Sequence, residues 1–407
     1  MIRAFCGLLL LLTVFCWPGA VQGFYEYQGR NSSLDVSGFV GAGAGQLTYP
    51  AASNLYDVRD DQAWSGDLRL LVEADYKDDL RLSGNILQSS RAKAPFTTAV
   101  SAFIPLDVER SSLLTWEQHD SRRSRSELLV DDLYLQYQTT RLDFAVGRQP
   151  VNLATTFYFV PNDFFAPFAP QTFFRTYKPG VDGLRADFRL AELSQLTMLG
   201  VLAYDRDGSA ANGWSRKPDC SETSLLIRAS REMVGFEWVV LVGTVDDNTI
   251  SGGSLQGELF NLIGLRAEGH YSAPETAGGH SHFKLAVGLE KLYANNFSWR
   301  LEYFQNSTGG LGNVSGLPIA TDQNRDYGAL GLGYELTPLL NGSLLTLIGF
   351  DDDSGVLSAN LLYSLSDESE MSVICSVPFG DRPGPSSAGS EFGSQPRMVL
   401  LEYRHYF

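Results

Sequence analysis

Residues 67–77 read Asp67-Leu68-Arg69-Leu70-Leu71-Val72-Glu73-Ala74-Asp75-Tyr76-Lys77. Leu68, Leu70, Val72, Ala74 and Tyr76 fall at alternate positions, with Asp67, Arg69, Glu73, Asp75 and Lys77 on the opposite register. A period of two means a strand, because successive side chains leave a pleated backbone on opposite faces. Beyond Lys77-Asp78-Asp79 the pattern resumes, with Leu80, Leu82 and Ile86 opposing Arg81, Ser83 and Asn85. Two such runs about a tight turn predict an antiparallel hairpin.

The same alternation recurs down the chain. Leu133, Leu135 and Tyr137 oppose Asp132 and Gln136, and Leu142, Phe144 and Val146 oppose Arg141 and Asp143. Leu184, Ala186 and Phe188 oppose Arg185, Asp187 and Arg189, while Phe297, Trp299, Leu301 and Tyr303 oppose Arg300 and Glu302. The last run sets Val399, Leu401, Tyr403, His405 and Phe407 against Leu400, Glu402, Arg404 and Tyr406. A soluble sandwich also alternates, but its polar face meets bulk water. Here the polar face repeats Arg with Asp or Glu, and the apolar face ends in Tyr, Trp or Phe. That is the pattern of a lipid-facing wall around a polar interior. In lipid the sheet must close, since every open edge leaves backbone groups unpaired. The expected fold is all-β, a transmembrane antiparallel up-and-down β-barrel.

The other features fit a secreted chain. Arg3 precedes an apolar run from Leu8 to Val14, and small residues follow up to Gly23. This order predicts a cleaved signal peptide over residues 1–23 and a single barrel domain over 24–407. Past it, no run of 18 apolar residues exists, so helical spans are not expected. Cys220 and Cys375 remain, which is no disulfide framework; one bridge or two free thiols are both open. A net charge of −16 argues against nucleic-acid binding.

Connectors alternate short and long. Short ones fall near residues 77–79, 139–140, 191–193, 231–234, 260–262, 292–296, 337–340 and 366–369. Long ones fall near 49–63, 89–125, 149–180, 205–221, 273–280, 306–325 and 379–394. Keeping that order requires a weakly patterned strand at about 250–260 and a split near Asp351, giving about 18 strands. Sixteen is the alternative. Short turns face the periplasm and long loops the exterior in barrels of this kind.

Two segments resemble known groups. Met398 to Phe407 resembles the assembly signal of bacterial outer-membrane proteins, through Leu401, Tyr403 and the terminal Phe407. It implies recognition by the outer-membrane barrel assembly machinery. Residues 144–189 carry Val146-Gly147-Arg148-Gln149-Pro150, then Val160-Pro161-Asn162-Asp163-Phe164-Phe165, then Tyr177-Lys178-Pro179-Gly180-Val181-Asp182-Gly183. They look like the alginate-export-like porins, including those of metal-reducing bacteria. That resemblance implies a channel and leaves the permeant open.

The 149–180 loop is crowded with Phe157, Tyr158, Phe159, Phe164, Phe165, Phe168, Phe173, Phe174 and Tyr177. A long unpatterned segment in a compact protein is functional or disordered, and this aromatic density favours a packed loop. It is expected to fold into the barrel and narrow a pore at Arg148, Asp163, Phe164, Phe168, Arg175, Lys178 and Asp182. A cap packed on the rim is the alternative. The expected lumen charges are Arg69, Glu73, Asp75, Arg81, Asp132, Arg141, Asp143, Arg185, Asp187, Arg189, Arg300, Glu302, Glu402 and Arg404, joined by Asp67, Arg228, Glu237, Arg266, Glu268 and Glu290. Rings of charge set the ion preference of a pore. This set is mixed, with acids ahead, which argues against alginate, a polyanion, as the permeant. Most of these residues are expected to form cross-strand pairs that stiffen the wall.

Weaker patterns carry little. Gly41-Ala42-Gly43-Ala44-Gly45 lies in a strand with no helix after it, so it is no phosphate loop. His280 and His282 lack a third metal ligand. No Ser/His/Asp set points to catalysis, and no cofactor is expected. The sequence therefore points to an outer-membrane channel passing small solutes, in contact with outer-membrane lipid. The alternative is a scaffold that sheaths a multihaem cytochrome in an electron conduit. The chain has no Cys-x-x-Cys-His, so partner cytochromes would have to bring the haem.

Overall fold

Each strand of such a chain carries a row of N–H and C=O groups on both edges, and only neighbouring strands can satisfy them. The computed structural model describes residues 25–50, 58–77, 79–92, 108–275, 279–308, 324–384 and 389–407. The expected signal peptide lies outside the described residues. In chain order the strands are β1 Tyr25–Gln28, β2 Ser32–Thr48, β3 Asp60–Tyr76, β4 Leu80–Ala92, β5 Thr115–Asp120, β6 Ser124–Gln138, β7 Leu142–Gln149, β8 Val181–Ala191, β9 Ser194–Arg206 and β10 Trp214–Met233. They continue as β11 Phe236–Val245, β12 Asn248–Leu259, β13 Ile263–Pro274, β14 His282–Leu292, β15 Ser298–Asn306, β16 Asp326–Thr337, β17 Leu340–Gly349, β18 Ser354–Ser366, β19 Ser369–Phe379 and β20 Arg397–Tyr406.

Eighteen of these strands close into an antiparallel barrel. The ring runs β2-β3-β4-β6 and then in sequence order to β20, which returns to β2 with Phe39 opposite Tyr406 and Thr48 opposite Arg397. Phe407 extends the seam by exchanging backbone hydrogen bonds with Gly38 at 2.8 and 3.0 Å. β1 continues that edge along the start of β2. The weakly patterned 250–260 segment is β12. It follows β11 through Asp246-Asp247, whose φ angles of 46° and 57° suit a two-residue hairpin turn. The split near Asp351 separates β17 from β18.

One stretch of wall is built differently. β7 has 8 residues and β8 has 11, flanked by β6 with 15 and β9 with 13. The short pair cannot reach the long-loop rim. β5 takes the vacant edge of β6 there, with Thr115 opposite Leu129 and Asp120 opposite Arg125. The chain just before it ties to the next strands: Ser111 Oγ donates to the Arg216 carbonyl at 3.2 Å, and Asn212 Nδ2 donates to the Arg110 carbonyl at 3.0 Å.

The outer face is apolar and exposed, with Val240 at 65%, Val399 at 52% and Trp238 at 48% of full exposure. Leu68, Leu135, Val146, Leu184, Leu301 and Leu401 continue the band. Tyr271, Phe283, Tyr303 and Phe379 lie toward its long-loop end, and Tyr76, Tyr137, Phe260 and Tyr334 toward its short-turn end. A contiguous apolar belt of this kind is far larger than a water-facing surface tolerates. Cys220 on β10 and Cys375 on β19 are both unbridged.

Candidate functional site: the barrel interior

Charged side chains on the barrel strands are mostly paired with one another. Arg81 sits 2.7 Å from Asp75 and 3.8 Å from Glu73, Arg185 sits 2.6 Å from Asp187, and Arg228 sits 3.6 Å from Glu237. Glu290 lies between Arg266 and Arg300, at 2.8 Å from each. Arg404 meets Glu370 at 2.6 Å and Glu402 at 3.0 Å. Asp143 accepts Gln136 Nε2 at 2.8 Å, and Asp132 accepts Asn85 Nδ2 at 3.2 Å. Arg141 and Arg189 are exposed and form no ion pair among the described residues.

Other members of this network were not anticipated. Asp131 accepts from Arg69 at 2.9 Å and from Arg110 at 2.8 Å, all three being buried. Strict alternation puts Asp131 and Asp132 on opposite faces. A register shift opposite Asn85 and Ile86 turns both toward the interior. The acidic doublet is the only sequence mark of that bulge. Glu127, between Arg91 and Arg125 at 3.1 and 2.9 Å, was also missed, because it precedes the patterned part of its strand.

Arg148 and Asp182 sit in the wall. Gly147 has φ of +126°, and a Cβ there would strike the Leu133 carbonyl, so only glycine fits. The resulting twist buries Arg148 at 2% exposure. Its guanidinium meets Asp182 at 2.7 Å and donates to the carbonyls of Ser111 at 2.8 Å and Val130 at 3.1 Å. The Ser111 N–H donates to Asp182 at 2.8 Å. The pair thus bonds the short strands to the segment that completes the wall above them.

Between Arg148 and Asp182 the loop runs across the interior. Its first part docks on β12 to β16. Glu268 accepts the N–H groups of Thr155, Thr156 and Asn162. Glu302 accepts those of Phe157, Tyr158 and Phe159 at 2.6, 2.8 and 3.1 Å. Thr155 Oγ1 donates to Ser254 Oγ at 2.8 Å, and Asn162 Nδ2 donates to the Gly253 carbonyl at 3.0 Å. The weak patterning of β12 comes from Ser251-Gly252-Gly253-Ser254, a run with no large side chain on either face. Phe159 stacks on Phe304 at 5.0 Å, and Tyr158 lies over Gly331.

The second part docks on the far side. Phe174 lies under the Arg404 guanidinium at 3.7 Å, and Tyr177 stacks on Phe39 at 5.5 Å beneath Arg69 at 4.6 Å. Arg175 fastens the two parts, donating to the carbonyls of Phe157, Pro170 and Thr172. Arg175 and Arg300 flank the Phe157 ring at 4.6 and 4.1 Å. Lys178 and Asp163 form a buried ion pair. Burial raises the Asp163 carboxyl and lowers the Lys178 ammonium from their ordinary values, because both charges leave water. Burial also brings Arg175 down to about 10.

The loop covers two apolar patches of the inner wall. Val151 and Phe165 join Val181, Leu199, Val201, Leu226, Leu241 and Ile250. Tyr158 and Phe159 join Phe304, Tyr327, Leu345 and Leu347. The interior is therefore not uniformly polar; it is apolar where the loop docks. Open recesses remain at both ends of the interior. One of about 640 Å³ opens toward the short turns and is lined by Arg189, Glu237, Arg266 and Glu290. The other, about 410 Å³, opens toward the long loops between Phe164 and Phe168 on one side and His270, His282 and Lys284 on the other. Among the described residues no group of three His, Cys, Asp or Glu side chains could hold a metal ion.

No protein-family model matches this chain, and no curated protein matches it in sequence. Solved structures match its shape. Acinetobacter baumannii OccAB3 superposes with a TM-score of 0.58 at 12% identity, covering 92% of this chain and 99% of that one. Pseudomonas aeruginosa OccK9 (OpdG) gives 0.57 at 10% identity, covering 92% and 98%. Pseudomonas aeruginosa OccK5 (OpdH) gives 0.56 at 10% identity, covering 95% and 99%. Identities this low show a shared barrel fold.

Proposed function

We propose that this chain is a bacterial outer-membrane channel through which small solutes pass, passively or with facilitation, and that the 149–180 loop narrows it. The observation that carries the reading is the division of the wall: apolar side chains face outward and remain exposed, while ion pairs and buried carboxylates face inward. A lipid-embedded barrel with an aqueous interior needs that division. The barrels it superposes with are outer-membrane porins. Under this reading short turns face the periplasm, and Leu401, Tyr403 and Phe407 serve the assembly machinery.

Asp163, Phe164, Phe168, Arg175 and Lys178 shape the narrow region from the loop, while Arg148 and Asp182 hold its two ends at the wall. Glu73, Asp75, Arg81, Arg185, Asp187, Arg266, Glu290 and Arg300 line the periplasmic side. Opposite charges at close range leave no strongly single-signed field, which suits small polar solutes better than a polyanion. The loop fills interior space that a sheathed multihaem cytochrome would need, which favours the channel.

The test is conductance. Purified protein alone in planar bilayers should give discrete, reproducible current steps. Absence of current from protein that is folded, together with electron transfer across vesicles only when a multihaem cytochrome is added, would replace the channel with the sheath.

A further inference from the structure

The connections of the short-turn rim divide into two arcs. From β8–β9 round to β16–β17, neighbouring connections carry large apolar side chains in the open: Leu193, Val234, Phe260, Leu262, Tyr293 and Leu339. From β18–β19 round to β6–β7 they are polar, as at Asp367, Arg30, Lys77 and Thr140. Apolar residues scattered singly over a surface need no explanation, but an unbroken arc of them does.

Two of the apolar turns are strained. Val234-Gly235 joins the paired residues Met233 and Phe236 with φ of 57° and 74°. Phe260-Asn261 has φ of 55° at both residues, in a turn closed by the Leu262 N–H donating to the Leu259 carbonyl at 3.0 Å. Left-handed turn positions favour Asn, Asp or Gly, and a β-branched or bulky residue there is an outlier. The barrel holds its own control. Asp246-Asp247 joins the paired residues Val245 and Asn248 with the same left-handed pair at the opposite rim, and there both residues are acidic. One backbone geometry thus carries carboxylates at one rim and Val or Phe at the other. Val234 and Phe260 are 96% and 89% exposed, so neither packs within the chain. Strain of this kind persists where function gains from it.

Continuity with the outer wall says what covers them. Met233, beside Val234, is exposed on the same register as Leu225 and Ile227, the outward face of β10. Tyr293 lies 5.9 Å from Phe297, ring centre to ring centre, and Trp299 Nε1 donates to the Tyr293 hydroxyl at 3.4 Å. Trp299 shares the outward register of Leu301 and Tyr303. The arc therefore prolongs the lipid-facing band past its aromatic end, where the rim of such a barrel ordinarily turns polar.

We propose that the short-turn rim from β8 to β17 is a membrane-docking surface, seated at the boundary of headgroups and acyl chains in the periplasmic leaflet, while the arc from β18 to β7 stands in water. The barrel is thus immersed more deeply on one side. This rests on the channel reading only in taking the barrel to be embedded in lipid with its short turns toward the periplasm.

The experiment is electron paramagnetic resonance of single nitroxide labels on the full barrel in phosphatidylethanolamine/phosphatidylglycerol vesicles, in a C220S/C375S background. Labels are attached through V234C, F260C and L339C on the apolar arc, T140C and D367C on the polar arc, D247C at the far rim and V240C on the wall. The quantity read is accessibility to oxygen, which concentrates in lipid, relative to a water-soluble nickel chelate present on both sides of the membrane. That ratio should be about threefold or more higher at 234, 260 and 339 than at 140, 367 and 247. Equal ratios on the two arcs would overturn the proposal. Exclusion of both probes at 234, 260 and 339 would overturn it in favour of a second copy or a partner protein seated on the arc. Three independent positions keep the test decisive where one variant fails to fold, which heat-modifiable gel mobility shows. A label at 240 that meets nickel freely would sink the lipid-embedded barrel itself, whereas a lipid-like 240 with aqueous tips sinks this proposal alone.

Discussion

Replacing Glu302 with glutamine should release the interior loop while leaving the barrel closed. Glu302 stands on β15 with 3% exposure and accepts three consecutive backbone N–H groups, from Phe157, Tyr158 and Phe159. Hydrogen bonds to a charged acceptor contribute about 1.5–3 kcal/mol each, and neutral ones about 0.5–1.5. Glutamine keeps one carbonyl oxygen and turns an NH₂ group toward N–H donors. One bond is then lost and the others weaken, for a combined loss of about 3 kcal/mol. That is a change of about a hundredfold in the ratio of docked to undocked loop. Hydrogen exchange reads this ratio directly, because those amides exchange only when the segment opens. In E302Q the amides of Phe157, Tyr158 and Phe159 should exchange about a hundredfold faster. The ladder amides of Leu301 and Tyr303, held by β14 and β16, should keep their wild-type rates. Single channels of the variant should show larger and noisier currents. Unchanged exchange at all three amides in a folded variant would show that the stacking of Phe159 and Phe174 holds the loop without the carboxylate.

Three further changes probe the interior. A Cβ at Gly331 would overlap Tyr158 Oη, so G331V should displace that ring and raise single-channel conductance, while heat-modifiable gel mobility shows the barrel intact. K178M leaves Asp163 buried without its partner and should weaken loop docking by about 3–5 kcal/mol. The K178M/D163N double variant should recover much of this, read by protease sensitivity of the loop; equal sensitivity of single and double variants would contradict the pairing. E290Q removes the one carboxylate shared by Arg266 and Arg300, so reversal potentials in a salt gradient should shift toward anion preference. No shift would place that triad away from the ion path.

The fold was legible because closure leaves a plain mark. Leu68, Leu70 and Val72 alternate with Arg69 and Glu73 only if one side of the strand meets hydrocarbon and the other does not. Strand number was legible through the connectors, even at β12, where Gly252 and Gly253 erase the alternation. The wall sector at β5 was not. A six-residue strand of mostly polar residues, Thr115–Asp120, has no pattern that separates a wall piece from an external loop. Its place follows from the shortness of β7 and β8, which becomes a constraint only once neighbours are known. For the same reason Arg148 and Asp182 read as pore residues: the motif shows a charge at a strand end, and nothing in it shows a third segment arriving to bury the pair.

The docking ground of the loop did leave a signal, in the places where alternation fails. Val239-Val240-Leu241-Val242 is apolar on both faces, as are Leu344-Leu345 and Leu347-Ile348. In a barrel with a water-filled interior the inward members of such runs would cost free energy of solvation, at roughly 25 cal/mol per Å². Val240 and Val242 are exposed outward, whereas Val239 and Leu241 are buried within the barrel wall, Leu241 in the patch that receives Phe165. Leu345 and Leu347 lie in the patch that receives Tyr158 and Phe159. Doubly apolar strands on one arc of a barrel therefore mark where something inside covers the wall. The aromatic loop and those runs are complementary halves of one contact. Between them they place the loop inside the barrel, an arrangement that neither segment specifies alone.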